Sequence, residues 1–139
     1  MNLRHKTAPY STSPSAPTRW LKGKGYLKGR ILDFGCGHGR DCRYLHCGGY
    51  DPYWRPKRPK GKYDTVLCTY VFNVIESEKE RNQVLKQIGR LLRVGGHAFI
   101  TVRRDLKRTG YTSTGSFHGI VHLDLKSIHK TKNYEIYEL

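Results

Sequence analysis

Apolar residues fall along this chain in short runs, separated by glycine, proline and lysine. "RILDF" (30–34) is a brief apolar run and reads as a buried strand. "YDTVLCTYVF" (63–72), β-branched and aromatic, reads as the best strand in the chain. "HAFITVR" (97–103) alternates and reads as another strand. Between them, "ESEKERNQVLKQIGRLLRVGG" (76–96) has the period of a helix, with Val84, Leu85, Ile88, Leu91 and Leu92 on one stripe. Acidic residues crowd its start and basic ones its end, as the macrodipole favours, and Gly95 and Gly96 are expected to stop it. A shorter helix is expected over "HGRDCRYLHC" (38–47), ended by Gly48 and Gly49, followed by a brief strand "YDPYW" (50–54) stopped by Pro52. "FHGIVHLDL" (117–125) and "NYEIYEL" (133–139) read as an antiparallel pair joined by "KSIHKTK". Near the N-terminus, Ser15 can cap a short helix that has Pro17 early, Trp20 and Leu21 as its apolar patch, and Gly23 and Gly25 as its end. The order β-α-β-β-α-β-β-β describes an α/β fold with an antiparallel C-terminal hairpin.

At 139 residues the chain has room for one core. It divides into an N-terminal arm and short helix (1–29) and a main domain (30–139). Charge changes the picture more than length does: 26 Lys+Arg against 11 Asp+Glu give a net +15, which points to a polyanionic partner, foremost nucleic acid. Three loops concentrate the basic residues, and Arg55, Lys57, Arg58, Lys60, Arg104, Lys107 and Arg108 are the expected nucleic-acid contacts. Tyr53, Trp54 and Tyr111 lie beside them and are placed to stack on unpaired bases. A membrane partner is not expected, since no long basic amphipathic helix and no run of eighteen apolar residues is present. The first residues hold no apolar stretch of signal-peptide type, so a cytoplasmic location with reduced thiols is expected.

The candidate chemistry lies in "ILDFGCGHGR" (31–40). A strand ends in Asp33, and Gly35, Gly37 and Gly39 follow at every second position before a helix begins. Such a loop lets a ligand approach the backbone. It differs from the dinucleotide pattern G-x-G-x-x-G, and no G-K-[ST] follows, so it is not a P-loop. A carboxylate just before the glycines repels a pyrophosphate and suits a ligand bearing an ammonium group. Asp51, eighteen residues after Asp33, lies where ribose hydroxyls would be received.

With these residues in view, the chain resembles the class I S-adenosylmethionine-dependent methyltransferases. "LDFGCGHGRD" is similar to their first motif, Asp51 in "GYDPY" to their acidic residue after the second strand, and "YDTVLCTYVFNVI" and "LLRVGGHAFITV" to their later motifs. The resemblance implies a minimal Rossmann-like methyltransferase sheet with S-adenosylmethionine as cofactor. Gly35, Cys36, Gly37 and Gly39 would pass under the methionine part. Asp33 would orient the loop or meet the amino group. Asp51 would bind the ribose, with Pro52 and Tyr53 beside it, and Thr69, Tyr70, Val71 and Asn73 would flank the methyl donor. A looser local likeness of "HKTA", "GCGHGRD", "DPYW" and "FNVIES" is to methyltransferase-like domains associated with DNA phosphorothioation, and would bring His5, Lys6 and Thr7 into the site. Asn73, Lys6 and Arg103 are the residues expected at the reacting centre.

Only twelve residues separate Asp51 from Asp64, too few for the family's usual second helix and third strand. The sheet is therefore expected to keep about six strands, with Tyr53 or Trp54 stacking on the adenine. "DPYW" resembles the D-P-P-[YW] signature of amino-methylating DNA enzymes but follows the wrong strand. Cys36, His38, Cys42, His46 and Cys47 invite a metal reading; Cys36 is an ordinary residue of the family's motif, however, and a structural zinc needs four closed ligands, so no metal is expected. The expected function is methyl transfer to nucleic acid, RNA before DNA. A small-molecule methyltransferase and a non-catalytic nucleic-acid-binding protein with a degenerate methyltransferase fold remain as alternatives, and monomer and homodimer are both open.

Overall fold

In the computed structural model, which describes residues 4–8 and 10–139, the apolar runs assemble one six-stranded sheet. The elements in chain order are α1 (Ala16–Gly23), β1 (Ile31–Phe34), α2 (Arg40–Leu45), β2 (Gly48–Tyr50), β3 (Tyr63–Thr69), α3 (Glu78–Leu91), β4 (Leu92–Arg103), β5 (Gly110–Tyr111), β6 (Phe117–His118), β7 (Lys126–Lys130) and β8 (Tyr134–Glu138). Their order across the sheet is β2-β1-β3-β4-β8-β7, with β5 and β6 forming a separate ribbon. The first four strands are parallel; β8 runs antiparallel to both β4 and β7. The chain passes from β2 to β3 through an exposed loop, without an intervening strand.

Strand alternation sends side chains to two cores. Val66, Cys68, Ile100 and Val102 face α3, which contributes Ile88 and the half-buried Val84, Leu85 and Leu91. Leu67, Phe99 and Ile136 face α1, which contributes Leu21. Leu21 and Ile88 are fully buried, each adding roughly 1.5–3 kcal/mol from apolar burial. The α3 helix starts where its sequence says: Ser77 Oγ accepts the Glu80 N–H at 3.2 Å, and Glu78 and Glu80 occupy the first turn.

Several boundaries differ from the sequence expectation. Gly95 and Gly96 do not end the helix; it ends at Leu91, and β4 already begins at Leu92. Gly95 has a left-handed φ of 80°, and a Cβ on Gly96 would lie 3.0 Å from both the Tyr63 and Arg93 carbonyls. The two glycines therefore carry a register irregularity in which Tyr63 pairs Leu92 and Thr65 pairs His97. The second strand is Gly48–Tyr50; residues 51–54, expected within it, form a turn closed by the Asp51–Arg55 bridge. The expected strand 63–72 stops at Thr69, because Tyr70 turns the chain with a φ of 62°.

The larger correction is at the C-terminus. Of 117–125, only Phe117 and His118 are strand, in the ribbon with β5, while the presumed connector supplies β7. Gly119 is held on both sides by Asn73, and Val121 drops into the α3-side core, so this apolar stretch packs as irregular chain. In β7, Ile128 packs on the other core and His129 stacks on Trp20 (centroids 3.9 Å apart), while Lys126 and Lys130 stay exposed on the sheet edge, a position where lysine discourages further pairing.

Candidate functional site

A cavity of about 510 Å³ opens at the carboxyl ends of β1, β2 and β3. Its floor is the glycine loop. Gly35 N and Cys36 N both donate to the Tyr50 carbonyl (2.6 and 2.9 Å), which binds the loop to β2. Gly35 and Gly37 have φ of 82° and 54°, and a Cβ on Gly35 would lie 2.4 Å from Val71 Cγ2. Asp51 fixes the loop from the opposite side: its Oδ2 accepts the Gly37 N–H at 3.0 Å, and its Oδ1 accepts those of Tyr53 (2.9 Å) and Trp54 (3.0 Å). Ionised carboxylates have about four acceptor positions, so one remains for a ligand hydroxyl.

Asp33 lines the cavity and is 3% exposed. Burial, reinforced by Cys42 and Asp41, raises its carboxyl well above the usual range. Thr69, Tyr70 and Val71 continue the wall from β3; burial pushes the Tyr70 hydroxyl up to about 12.

The N-terminal arm closes one side. His5 stacks on Tyr53 with centroids 3.8 Å apart and planes 10° from parallel, and Trp54 Nε1 donates to the His5 carbonyl at 3.3 Å. Arg4 reaches across to Glu80 of α3, its Nη2 donating to Oε1 at 3.1 Å. Ala8 lies against the glycine loop, 3.0 Å from where a Gly37 Cβ would be.

Of the sequence-derived cofactor residues, Asp33, Gly35, Cys36 and Gly37 line the cavity together with Asp51, Pro52 and Tyr53, and with Thr69 to Val71. Gly39 does not; it precedes α2 and is covered by the Arg55 guanidinium, 2.5 Å from a Cβ there. Asn73 is fully buried away from the cavity, with both ends of its amide engaged: Nδ2 donates to the Gly119 carbonyl (2.9 Å) and Oδ1 accepts the Arg103 N–H (2.7 Å). The structure thus makes Asn73 a backbone latch. Arg103 is also outside the cavity lining, paired with Asp105 at 2.9 and 3.1 Å. His118 lies 3.5 Å from Arg103 Nη1, and burial, then the guanidinium, hold its ring below the ordinary value. Lys6 is exposed and points no group into the cavity, although Arg4, His5, Thr7 and Ala8 do line it.

Arg58 is the basic-loop residue that reaches the cavity. Lys57 and Lys60 are exposed in the same loop, the Lys60 carbonyl accepting Arg30 Nη2 at 2.9 Å, and among the described residues the side chains of all three make no hydrogen bond or ion pair. Lys107 and Arg108 are exposed after β4, and Arg104 is bonded back to the Thr131 carbonyl.

Sequence reasoning missed Glu80, Gln83, Val84 and Gln87, which line the cavity from α3. Their spacing puts them on one helix face, a signal present in the sequence but overshadowed by the stronger apolar stripe. It also missed Asp41, a buried carboxylate that accepts Ser15 N (2.8 Å), Ser15 Oγ (2.7 Å) and Thr18 Oγ1 (2.8 Å). Ser15, expected as a helix cap, spends its hydroxyl joining α1 to α2.

Comparison with known proteins agrees with this architecture. A family profile described as a methyltransferase domain matches residues 6–129. Among curated proteins, none matches the sequence. Solved structures do match in fold. The DhpI complex with SAH superposes with a TM-score of 0.66 at 11% identity, over 88% of this chain and 82% of that one. Magnesium protoporphyrin IX methyltransferase from Synechocystis PCC 6803, with bound SAM, gives 0.52 at 16% identity, over 88% and 75%. The glycopeptide N-methyltransferase MtfA, complexed with SAM, gives 0.52 at 13% identity, over 94% and 79%. Profile, strand order and glycine loop agree: the chain belongs to the methyltransferase domain family and has the class I, S-adenosylmethionine-dependent methyltransferase fold.

Proposed function

We propose that this protein transfers the methyl group of S-adenosylmethionine to nucleic acid, RNA in preference to DNA. The cavity suits the cofactor on three counts. Its volume, about 510 Å³, is that of a small-molecule site. The Gly35–Gly37 backbone lines it bare of side chains, with Val71 and Ala8 of the cavity wall packed where Cβ atoms would stand. Asp33 and Asp51 supply carboxylates for an ammonium group and a ribose hydroxyl. When bound, S-adenosylmethionine supplies an electrophilic methyl group on a sulfonium.

The chain's own residues then act by position. Asp33 receives the amino group, and its burial makes that pairing strong. Asp51 accepts a ribose hydroxyl while keeping the glycine loop in place. Thr69, Tyr70 and Val71 bound the space in which the acceptor approaches in line with the breaking bond, and they exclude water from it. No general base is required of the protein for an acceptor that is already nucleophilic.

One observation carries the nucleic-acid reading: the loop standing in place of a third strand puts Arg58 into the cavity wall, with Lys57 and Lys60 exposed in the same loop and their side chains unpaired among the described residues. Arg58 is thus a free cation in the wall of the site, and Lys57 and Lys60 carry the charge along the exposed loop toward the amino end of β1, where the Lys60 carbonyl accepts Arg30 Nη2 at 2.9 Å, in a chain of net charge +15. A second reading, a small-molecule acceptor, is favoured by the arm, since Arg4–Glu80 and His5–Tyr53 narrow the same mouth.

Fluorescence anisotropy with a single-stranded RNA at several salt concentrations separates the two readings. Replacing Lys57, Arg58 and Lys60 with Glu should make the slope of log K against log salt shallower by about 2 units, three phosphate contacts at ~0.7 each. A slope equal to the wild-type value removes this loop as the polyanion surface.

A further inference from the structure

Strands β1, β3 and β4 are parallel, so their starts lie at one end of the sheet, opposite the cavity, and the end of α3 returns there. Six exposed cations meet at this end: Lys28 and Arg30 before β1, Lys60 and Lys62 before β3, Arg90 in the last turn of α3, and Arg93 in β4. Hydrogen bonds tie them into one surface. Arg30 lies over the Tyr63 ring, its Cζ 4.2 Å from the centroid, and donates to the carbonyls of Lys60 (2.9 Å) and Lys62 (3.1 Å). Lys62 Nζ donates to the Arg90 carbonyl. Lys28 is fixed through its backbone: its N–H donates to Thr65 Oγ1 at 3.3 Å, and its carbonyl accepts that hydroxyl at 2.8 Å.

One carboxylate stands among the six cations. Asp64 pairs with Arg93 at 3.2 Å and accepts the Arg30 N–H at 2.7 Å. Glu138, at the border, is taken by His97 at 3.0 Å, and Asp124 lies ahead of β7 at the far edge of the sheet. By contrast, Asp33, Asp41, Asp51 and Glu80 all line the cavity at the opposite end. Like charges gathered this closely cost stability by self-repulsion until an anion covers them. The side chains of Lys28, Lys60 and Arg90 make no hydrogen bond or ion pair among the described residues, so they are available to such an anion.

The loop between β2 and β3 joins this surface to the cavity. Both strands run parallel to β1, so the chain must return from the carboxyl end of β2 to the amino end of β3. On the way it carries Arg58 at the cavity, then Lys60 and Lys62 beside Arg30. We propose that this amino-end platform holds the phosphate backbone of the RNA whose acceptor group enters the cavity, with the loop as the track between them. Phosphate contacts fix the register and orientation of a strand without reading its sequence, which leaves the choice of acceptor to the cavity. Arg30 and Gly35 flank the four residues of β1, about 17 Å of extended chain at ~3.3 Å per residue, or roughly five nucleotides at ~3.4 Å each. The placement rests on the nucleic-acid reading above and extends it to a second surface, remote from the cofactor.

The test is fluorescence anisotropy of a single-stranded RNA of about fifteen nucleotides, long enough to reach both surfaces, at several salt concentrations. Three full-length proteins are compared: wild type, the double variant Lys28→Glu with Arg90→Glu, and a control, Lys79→Glu with Lys86→Glu, whose lysines are exposed on α3 outside the platform. Both variants change the net charge equally. The platform variant should make the slope of log K against log salt shallower by about 1.4 units, two phosphate contacts at ~0.7 each, with S-adenosylmethionine affinity unchanged. The control should keep the wild-type slope, and the neutral pair Lys28→Gln with Arg90→Gln should lose as much slope as the reversed one. A slope that the platform variants leave unmoved, or that the control moves equally, overturns the proposal; if replacing Lys57, Arg58 and Lys60 still lowers it, the nucleic-acid reading stands without the platform. Binding to phosphatidylserine vesicles that the platform variant loses while keeping its RNA slope also overturns it, in favour of a membrane surface. The expected slopes without methyl label in RNA would keep the platform and sink the substrate assignment, and a wild-type protein that binds no RNA sinks both.

Discussion

Replacing Asp51 with asparagine tests how the glycine loop is held. The carboxylate takes Gly37 N–H on Oδ2 and the N–H groups of Tyr53 and Trp54 on Oδ1. Asparagine has one acceptor oxygen. Its best orientation keeps that oxygen on Tyr53 and Trp54 and turns the NH₂ toward the Gly37 N–H, so one charge-assisted hydrogen bond is lost and two donors face each other. A hydrogen bond to a charged group contributes about 1.5–3 kcal/mol, and water reaching this half-buried turn recovers part of it, leaving a cost of about 1–2 kcal/mol. For a chain of 139 residues this lowers the melting temperature by about 3–10 °C. Asp51→Ala, which orphans all three donors, should fall further. Thermal melting of cofactor-free protein by circular dichroism reads both variants. If asparagine and alanine melt together with the wild type, the carboxylate does not hold the loop, and its role at the ribose loses its structural basis.

Three further outcomes follow from the same geometry. Gly49→Ala places a methyl 2.4 Å from Cys42 Sγ and should cost about 1–3 kcal/mol, while its neighbour Gly48→Ala meets Leu32 Cδ1 at an ordinary 3.7 Å and should be neutral or stabilising by about 0.5–1 kcal/mol; urea titrations giving both changes the same sign would contradict the packing described for β2. In the cofactor-free protein Asp33 keeps a proton that the unfolded chain has already lost, so stability should fall as pH rises from the ordinary carboxyl value through the raised one. A cofactor ammonium would reverse that shift, so binding should release a proton and tighten with pH over the same window, as calorimetry in buffers of different ionisation enthalpy would show; Asp33→Asn should abolish both dependences, and their persistence would move the effect to another group. Asn73→Ala strips partners from the Gly119 carbonyl and the Arg103 N–H, so it should lose about 2–4 kcal/mol in denaturant unfolding; a variant of wild-type stability would show that the latch is not what the amide is for.

The parallel half of the sheet was legible because its strands are buried on both faces and therefore written as apolar runs, as in Val66 to Cys68 and Phe99 to Val102. The loop "DFGCGHG" was equally legible: strand, positive-φ glycines and helix start follow in fixed order. The antiparallel edge was not, since β7 lies with Lys126 and Lys130 facing water and only Ile128 and His129 turned inward, so its composition resembles that of a loop. Conversely, 117–125 carries a strand's apolar content, but Asn73 captures Gly119 and diverts it. Asn73 itself looked like a site residue from its place after β3; that its amide faces two backbone groups from distant segments is long-range geometry, which local pattern does not encode. The contribution of α3 to the cavity was hidden for a related reason. Glu80, Gln83 and Gln87 look like ordinary outward residues of a helix, and only the packing of α3 beside the carboxyl end of β3 turns them to the cavity.

The central claim, methyl transfer to nucleic acid from the cofactor cavity, is tested most directly by incorporation of labelled methyl. Purified protein is incubated with methyl-tritiated S-adenosylmethionine and, separately, total RNA, DNA and a small-metabolite extract, beside Asp33→Asn protein. The account predicts label in RNA above DNA and metabolites, and its loss in the Asp33 variant. Label confined to the metabolite pool would contradict the substrate assignment, and label undiminished by Asp33→Asn would contradict the site.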